Sequence, residues 1–440
     1  MGLRHVDRQW KGTLADDQDA LPEDAIDGAA ERRIEEARVG VALGERRIGL
    51  ALPRLRAGRG WPAGIEDEID GDDLREREGI VLRGAVVCDI AALGREEAIV
   101  LEHEILEPGS LHGASGRLRE TGWARWPLLA FDPERVGGRL FRQLRLKQWD
   151  YYGLWAGDFY ASAAIAHVGY LGMAFVYVLD PATARNPERT VLRVLGSGIA
   201  MPRDSERGSL AFAGSGLEVE LTVAPGARRV RARDPRFDGG AGLEIAAELA
   251  CAPDHESVVM ATPFPGGGFF YNRKLNVLPA TGFVRWGARR IDLAAAKALG
   301  QLDWGRGVWP YRSHWVWASA NGFAADGRRL GLNLGFVRDE RAAAENAVIL
   351  DGRVHKLGWV DAEFDPGDYR KPWRFRDREG RLDVTLAPSF ERIARTEALV
   401  LRTEVHQCFG RWSGRAILED DRELAIAALP GFAEEHHARW

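Results

Sequence analysis

From about residue 140 to the end of the chain, apolar side chains recur at every second position in short runs separated by glycine-bearing turns. Period two places alternate side chains on opposite faces, so this pattern predicts β-sheet before any other property is considered. Residues 146–155 put Trp149, Tyr151, Gly153 and Trp155 on one face, and Gly157-Asp158 predicts a hairpin turn into a second strand over 159–168. After Gly169, a third strand has Leu171, Met173, Phe175, Tyr177 and Leu179 on a shared face. Short strands joined by tight glycine turns form an antiparallel meander. Further strands are predicted at 192–195, 217–223, 243–249, 257–261 and 269–277, and again at 311–319, 328–336, 347–350, 354–359, 382–386, 398–409 and 424–428. Helical stretches are few; residues 292–299, with Asp292 as N-cap, are the clearest. Many strands with little helix predict an all-β protein of sandwiches or barrels.

The first hundred residues do not share this habit. They hold 22 acidic and 15 basic side chains but only two aromatics, Trp10 and Trp61, against 38 in the remainder. Aromatics supply much of a core's burial energy, so this segment has little with which to build one. A helix is expected over 29–43, where Ala30, Ile34, Ala37 and Val41 fall at helical spacing. The chain has 54 Arg against six Lys, a bias expected of a GC-rich bacterial genome, where open upstream frames yield such translations. Residues 1–100 are accordingly expected to be a loose acidic extension or a mis-assigned start, followed by a first β-domain over 101–290 and a second over 291–440. No run approaches the ~20 apolar residues of a membrane helix. The N-terminus has no apolar leader core, which makes a cytoplasmic location the expectation. The net charge of −5, with no basic run, argues against a nucleic-acid partner.

Chemical signatures are sparse. There is no G-x-x-x-x-G-K-[ST], no G-x-S-x-G and no H-E-x-x-H. Cys88, Cys251 and Cys408 lie far apart, and His436-His437 would point to opposite faces of a strand, so no metal site is expected. The unusual segment is residues 303–317, with five aromatics behind an aspartate. As a strand, 309–317 would place Trp309, Tyr311, Trp315 and Trp317 on one side and Arg312 and His314 on the other. A tryptophan core wall with a structural histidine explains this segment as readily as a binding site does.

Several motifs carry a resemblance: Arg125-Trp-Pro-Leu, Trp149-Asp-Tyr-Tyr-Gly, Asp303-Trp-Gly-Arg-Gly-Val-Trp-Pro-Tyr, Glu345-Asn-Ala, Asp351-Gly-Arg-Val-His-Lys, His406-Gln-Cys-Phe-Gly-Arg-Trp-Ser-Gly and the closing Gly431-Phe-Ala-Glu-Glu-His-His-Ala-Arg-Trp. From about His103 to Trp440 the chain resembles the family called domain of unknown function 2804. That family is similar to calycin-like proteins and, distantly, to tandem lipocalin-like acyclic carotenoid hydratases such as hydroxyneurosporene synthase, and to fungal cyclases that accelerate Diels–Alder reactions. The resemblance implies two tandem lipocalin-like (calycin) antiparallel barrels or sandwiches and a hydrophobic ligand, and it transfers no reaction. Trp304 departs from the pattern, where a histidine is expected after the aspartate.

The leading expectation is a hydratase, isomerase or cyclase without a cofactor, acting on an isoprenoid- or polyketide-like substrate. Protonating an isolated C=C requires a carboxylic acid kept protonated by burial. Asp303 is the candidate acid, with Asp150 and Glu345 behind it, and His314 would orient or deprotonate water. Trp149, Tyr151, Trp309, Tyr311, Trp315 and Trp317 would stabilise a carbocation, and His406 is a further candidate pocket residue. An ordinary role for Asp303, as a turn residue or ion-pair partner of Arg306, stands beside this one. The alternatives are a non-catalytic carrier of a hydrophobic small molecule and an interaction protein whose aromatics cement two barrels.

Overall fold

The computed structural model describes residues 35–43, 46–54, 102–338, 342–398 and 401–440. In the first of these segments, Glu35–Leu43 pairs antiparallel with Arg46–Arg54, with Val41 opposite Ile48. A strand therefore replaces the end of the helix expected over 29–43. Ala37, Val39, Val41 and Leu43 alternate as well as they recur helically, and valine and glycine both disfavour helix there. The expectations of looseness or a mis-assigned start for 1–100 lie otherwise outside the described residues.

The rest is nearly all strand, in two large antiparallel sheets that each curl toward a barrel. A short helix, α1 (Arg139–Arg145), leads into the predicted meander: β1 (Leu146–Ala156), β2 (Phe159–His167), β3 (Leu171–Leu179) and β4 (Glu188–Val194). Two longer strands follow, β5 (Phe269–Trp286) and β6 (Leu299–Val308). In the first sheet the spatial order is Gly208–Gly214, Leu217–Ala224, Ala227–Asp234, Leu243–Ala250, β5, β6, β1, β2, β3, β4. The second sheet contains β7 (Arg312–Phe323) and the long strands β8 (Leu382–Ala398), β9 (Leu401–Ile417) and β10 (Glu423–Arg439). Its order is Arg353–Lys356, Ala347–Leu350, Arg329–Val337, β7, β10, β9, β8, Trp373–Asp377, Val360–Glu363.

Strand β6 is the element of the site that the sequence pattern conceals. Gly300, Gly305 and Gly307 make it read as a loop, yet all ten residues are buried and pair with β5 on one side and β1 on the other. Glycine is required by close approach: a Cβ at Gly305 would lie 2.2 Å from the Trp149 ring. Because β6 belongs to the first sheet, the chain passes between sheets at 309–311, beyond the division expected at 290/291. The helix expected over 292–299 is a single turn. Asp292 Oδ1 accepts from Ala295 N at 2.9 Å as a cap would, but the chain re-enters strand at Leu299.

Each sheet wraps its own core. Tyr152, Leu154, Phe159 and Val176 belong to the first, and Trp373, Phe375 and Trp412 to the second. A third cluster joins side chains of both, with Trp155 and Tyr160 of the first sheet against Trp317, Phe409 and Phe432 of the second. Below it, Gln301 Oε1 accepts from Trp155, Ser319 and Asn321, a buried polar clasp across the same junction.

Candidate active site between the sheets

Alternation and register build the site. In the first sheet, lateral pairing sets Lys274 of β5 beside Asp303 of β6, Asp303 beside Tyr151 of β1, and Tyr151 beside Ala164, Phe175 and Thr190 on β2, β3 and β4 in turn. In the second sheet, Trp317 of β7 lies beside Glu434 of β10, then Gln407 of β9 and Arg392 of β8. Two positions further along, on the same face, Trp315 lies beside His436. These rows face each other across a cavity of about 240 Å³ whose remaining wall is largely apolar, including Phe270, Trp309, Leu401 and Trp440. The cavity thus lies between the two sheets, outside both barrel cores.

Two polar groups occupy its walls. In the first, Lys274 Nζ is 2.8 Å from Asp303 Oδ1 and 3.5 Å from Glu345 Oε1, and it lies 4.1 Å from the centre of the Trp317 ring. Asn272 Nδ2 donates to Glu345. Burial lifts the Glu345 carboxyl above its usual range against the pull of Lys274. The same burial disfavours the Lys274 ammonium, but its two carboxylate neighbours outweigh it and hold the group charged.

The second group centres on Glu434. Gln407 Nε2 donates to Glu434 Oε2 at 2.9 Å, and Tyr177 Oη donates to Gln407 Oε1 at 3.0 Å. Tyr151 Oη lies 2.8 Å from Tyr177 Oη and 2.5 Å from Tyr160 Oη, so a line of hydroxyls runs away from the carboxyl. Arg392 stacks over Tyr177 and bonds Glu188, its nearest carboxylate. Burial therefore dominates at Glu434 and raises its pKa to about 7, with Arg392 and Lys274 opposing from a distance. His436, packed 3.9 Å from Trp315 between ring centres, is driven down to about 3 by burial and stays neutral. His436 Nε2 and Trp309 Nε1 are buried without a hydrogen-bond partner.

The structure brings together Asp303, Glu345, Trp149, Tyr151, Trp309, Trp315 and Trp317 from among the expected residues. It separates the other four. Asp150 lies on the opposite face of β1, inside the first barrel, where Arg306 Nη2 donates to its Oδ1 at 2.9 Å. Arg306 is thus the partner of Asp150, and Lys274 that of Asp303. His314 lies on the opposite face of β7, the one that carries Val316 and Ala318 into the second barrel's core, with Glu435 Oε1 at 2.8 Å, and His437 stacks on it. Tyr369 completes that cluster by donating to Glu435. His406 shares this barrel-side face with Cys408, stacked on Tyr369 and bonded to Glu391 and Glu404. Tyr311 is half exposed because Pro310 interrupts pairing, and the strand begins at Arg312.

Lys274, Glu434, His436, Gln407 and Arg392 complete the cavity without having been expected there. The signal for two of them was present. In the terminal Glu434-Glu-His-His437, period two assigns one Glu and one His to each face. Lys274 had no such mark, since a lysine that follows Asn272 and Arg273 reads as a solvent-facing residue.

Comparison with curated proteins finds no match. Among solved structures, a putative AttH from Nitrosomonas europaea is 15% identical, covers 70% of this chain and 97% of its own, and has a TM-score of 0.41. Kievitone hydratase from Nectria haematococca is 10% identical, covering 76% of this chain and 97% of its own at a TM-score of 0.37. CghA with Sch210972 is 10% identical, covering 68% and 89% at 0.35. The family model described as "Domain of unknown function (DUF2804)" matches residues 102–440, which hold both sheets and every residue of the cavity named above, and the chain belongs to that family.

Proposed function

We propose that this protein is an enzyme that hydrates, isomerises or cyclises an apolar, isoprenoid- or polyketide-like substrate by proton transfer from a buried carboxyl, using side chains alone. The observation that carries this reading is Glu434, a carboxyl facing an aromatic cavity with an amide and not a cation as its close partner. Burial there keeps the proton on the acid near neutral pH, which protonation of a C=C requires. The acid role expected for Asp303 passes to Glu434, because Asp303 shares the Lys274 ammonium and serves better as an anion.

In a hydration, the Glu434 proton forms a C–H bond with one alkene carbon and the π electrons leave the other carbon cationic. The faces of Trp149, Tyr151, Trp315 and Trp317 then stabilise that cation. A water oxygen adds to it and releases a proton to the Asp303 carboxylate, and exchange with water once product leaves returns Asp303 to the anion and Glu434 to the acid. In an isomerisation, a C–H bond next to the cation breaks, its electrons form the new C=C and its proton passes to the Asp303 carboxylate; in a cyclisation, an internal C=C adds to the cation first and the new cation then loses a proton to Asp303 in the same way.

The test begins with small molecules extracted from the purified protein and identified by mass spectrometry. The compound, or its unsaturated analogue, should be converted by the wild type. Glu434→Gln should lose conversion by at least about a hundredfold while retaining binding. A wild type that binds the compound and returns it unchanged would make the protein a carrier.

A further inference from the structure

We propose that the surface formed by α1, the β2–β3 turn and the end of β4 docks on an anionic lipid bilayer, placing one end of the cavity against the membrane. The inference extends the reading of the cavity as an apolar pocket, but it rests on separate observations.

The first is where large apolar side chains face solvent. In α1, Leu140 is 73% exposed, Phe141 46% and Leu144 44%. At the end of β4, Leu192, Val194 and Leu195 are exposed as well, and so is Tyr311. These seven account for most of the exposed large apolar residues of the described structure. They belong to one surface. Gln143 Nε2 donates to Gly169 O at 2.7 Å in the β2–β3 turn and to Leu195 O at 3.3 Å, which ties α1 to both neighbours. Leu195 N donates to Tyr170 O in that same turn, and Arg145 Nη2 reaches Trp309 O at 2.8 Å beside Tyr311. Isolated exposed leucines are ordinary, whereas a contiguous group marks an interaction site.

The second observation is charge. Residues 136–149, 166–179 and 189–203, which build this surface, contain no aspartate or glutamate, although the whole chain carries 65 of them. Of their basic residues, Arg189 and Arg203 pair with acids from outside these segments, Lys147 is buried and Arg193 turns to Phe212 on the other face of β4, which leaves Arg139, Arg142 and Arg145 of α1 beside the apolar group. Arg142 and Arg145 donate to backbone carbonyls, which leaves their positive charge unneutralised. Leucine and phenylalanine flanked by arginine, on a helix with no acid, is the composition that settles at a bilayer interface. A protein partner would require no such exclusion of carboxylates, but phosphate headgroups do.

The third is continuity with the cavity. Val168 and Leu401 line it and pack with Leu171, Tyr170, Met173 and Trp440 directly beneath this surface. In the β3–β4 pairing, Leu171 lies opposite Val194 and Met173 opposite Leu192. Half-buried Met173 and Trp440 therefore stand between the exposed apolar group and the aromatic interior. A substrate dissolved in lipid would enter here without crossing water.

Co-sedimentation of the full chain with phosphatidylcholine vesicles, with and without phosphatidylglycerol, tests this without any substrate, so its failure leaves the catalytic reading untouched. The protein should pellet with the anionic vesicles, and added salt should weaken binding. Changing Leu140, Phe141 and Leu144 together to Asp should reduce binding at least about tenfold. The exposed Val194→Asp serves as a second variant should the triple one fail to fold. Equal sedimentation with and without vesicles would overturn the proposal, as would wild-type binding by either folded variant. A vesicle-independent doubling of mass in light scattering, lost in the same variants, would assign the surface to a second copy of the chain and overturn it too.

Discussion

At the scale of single residues, the site works by dividing ionisable groups between compensated and uncompensated. Asp303 and Glu345 share an ammonium; Glu434, on the facing sheet, has an amide and a hydroxyl line. Two consequences follow for pH. Turnover that needs the protonated acid should be highest below pH 7 and fall as pH rises through about 7, and a pH–rate profile checks this. Stability moves with it. Because the folded chain holds this proton up to about 7 while an ordinary carboxyl releases it near 4.5, Glu434 opposes folding increasingly as pH rises through that window. Glu434→Gln should remove that slope, which denaturant unfolding at several pH values would reveal. Of these residues, only Asp303 and Glu345 were legible from sequence. Motifs mark them, whereas Lys274 and Glu434 owe their roles to register, and one sequence does not reveal which strands become neighbours.

At the scale of elements, β6 decides the site. Its glycines let two large strands close around it, and they are also what hides it from a reading of alternation. Gly305→Ala should push Trp149 from its place, costing about 1–3 kcal/mol of stability. Because Trp149 lines the cavity, ligand affinity should fall in the same variant, and thermal melts with a bound ligand would separate the two effects. The meander β1–β3 was legible almost to the residue, since its strands are bounded by Gly157 and Gly169 at positive φ. Strands β8, β9 and β10 are each 17 residues long and were seen only as fragments. Register shifts at Pro388/Phe390 and Trp412/Gly414, and adjacent charged pairs such as Glu391-Arg392 and Glu434-Glu435, break the apolar rhythm that sequence reading follows.

At the scale of the whole molecule, the two sheets are joined by an interface that is itself a core. Trp155, Tyr160, Trp317, Phe409 and Phe432 pack across it, and Gln301 is clasped from both sides. The region from residue 102 should therefore unfold as one cooperative unit, and calorimetry should show a single transition for it. Two well-separated transitions would mean that the sheets are independent. The all-β class follows from period two alone. The place of the cavity, between sheets and not within one, depends on which faces each sheet turns to the other, and sequence carries no direct mark of that choice.

Five of the fifteen tryptophans, Trp149, Trp309, Trp315, Trp317 and Trp440, line the cavity. Trp309 is 5.4 Å from Trp315, 5.8 Å from Trp149 and 6.4 Å from Trp440 between ring centres. Indoles that close exchange excitation, so the pocket contains its own optical reporter. A ligand entering among them should quench the intrinsic fluorescence and alter the near-ultraviolet circular dichroism. Occupancy can then be followed by light alone, before any chemistry is assigned to the compound that fills it.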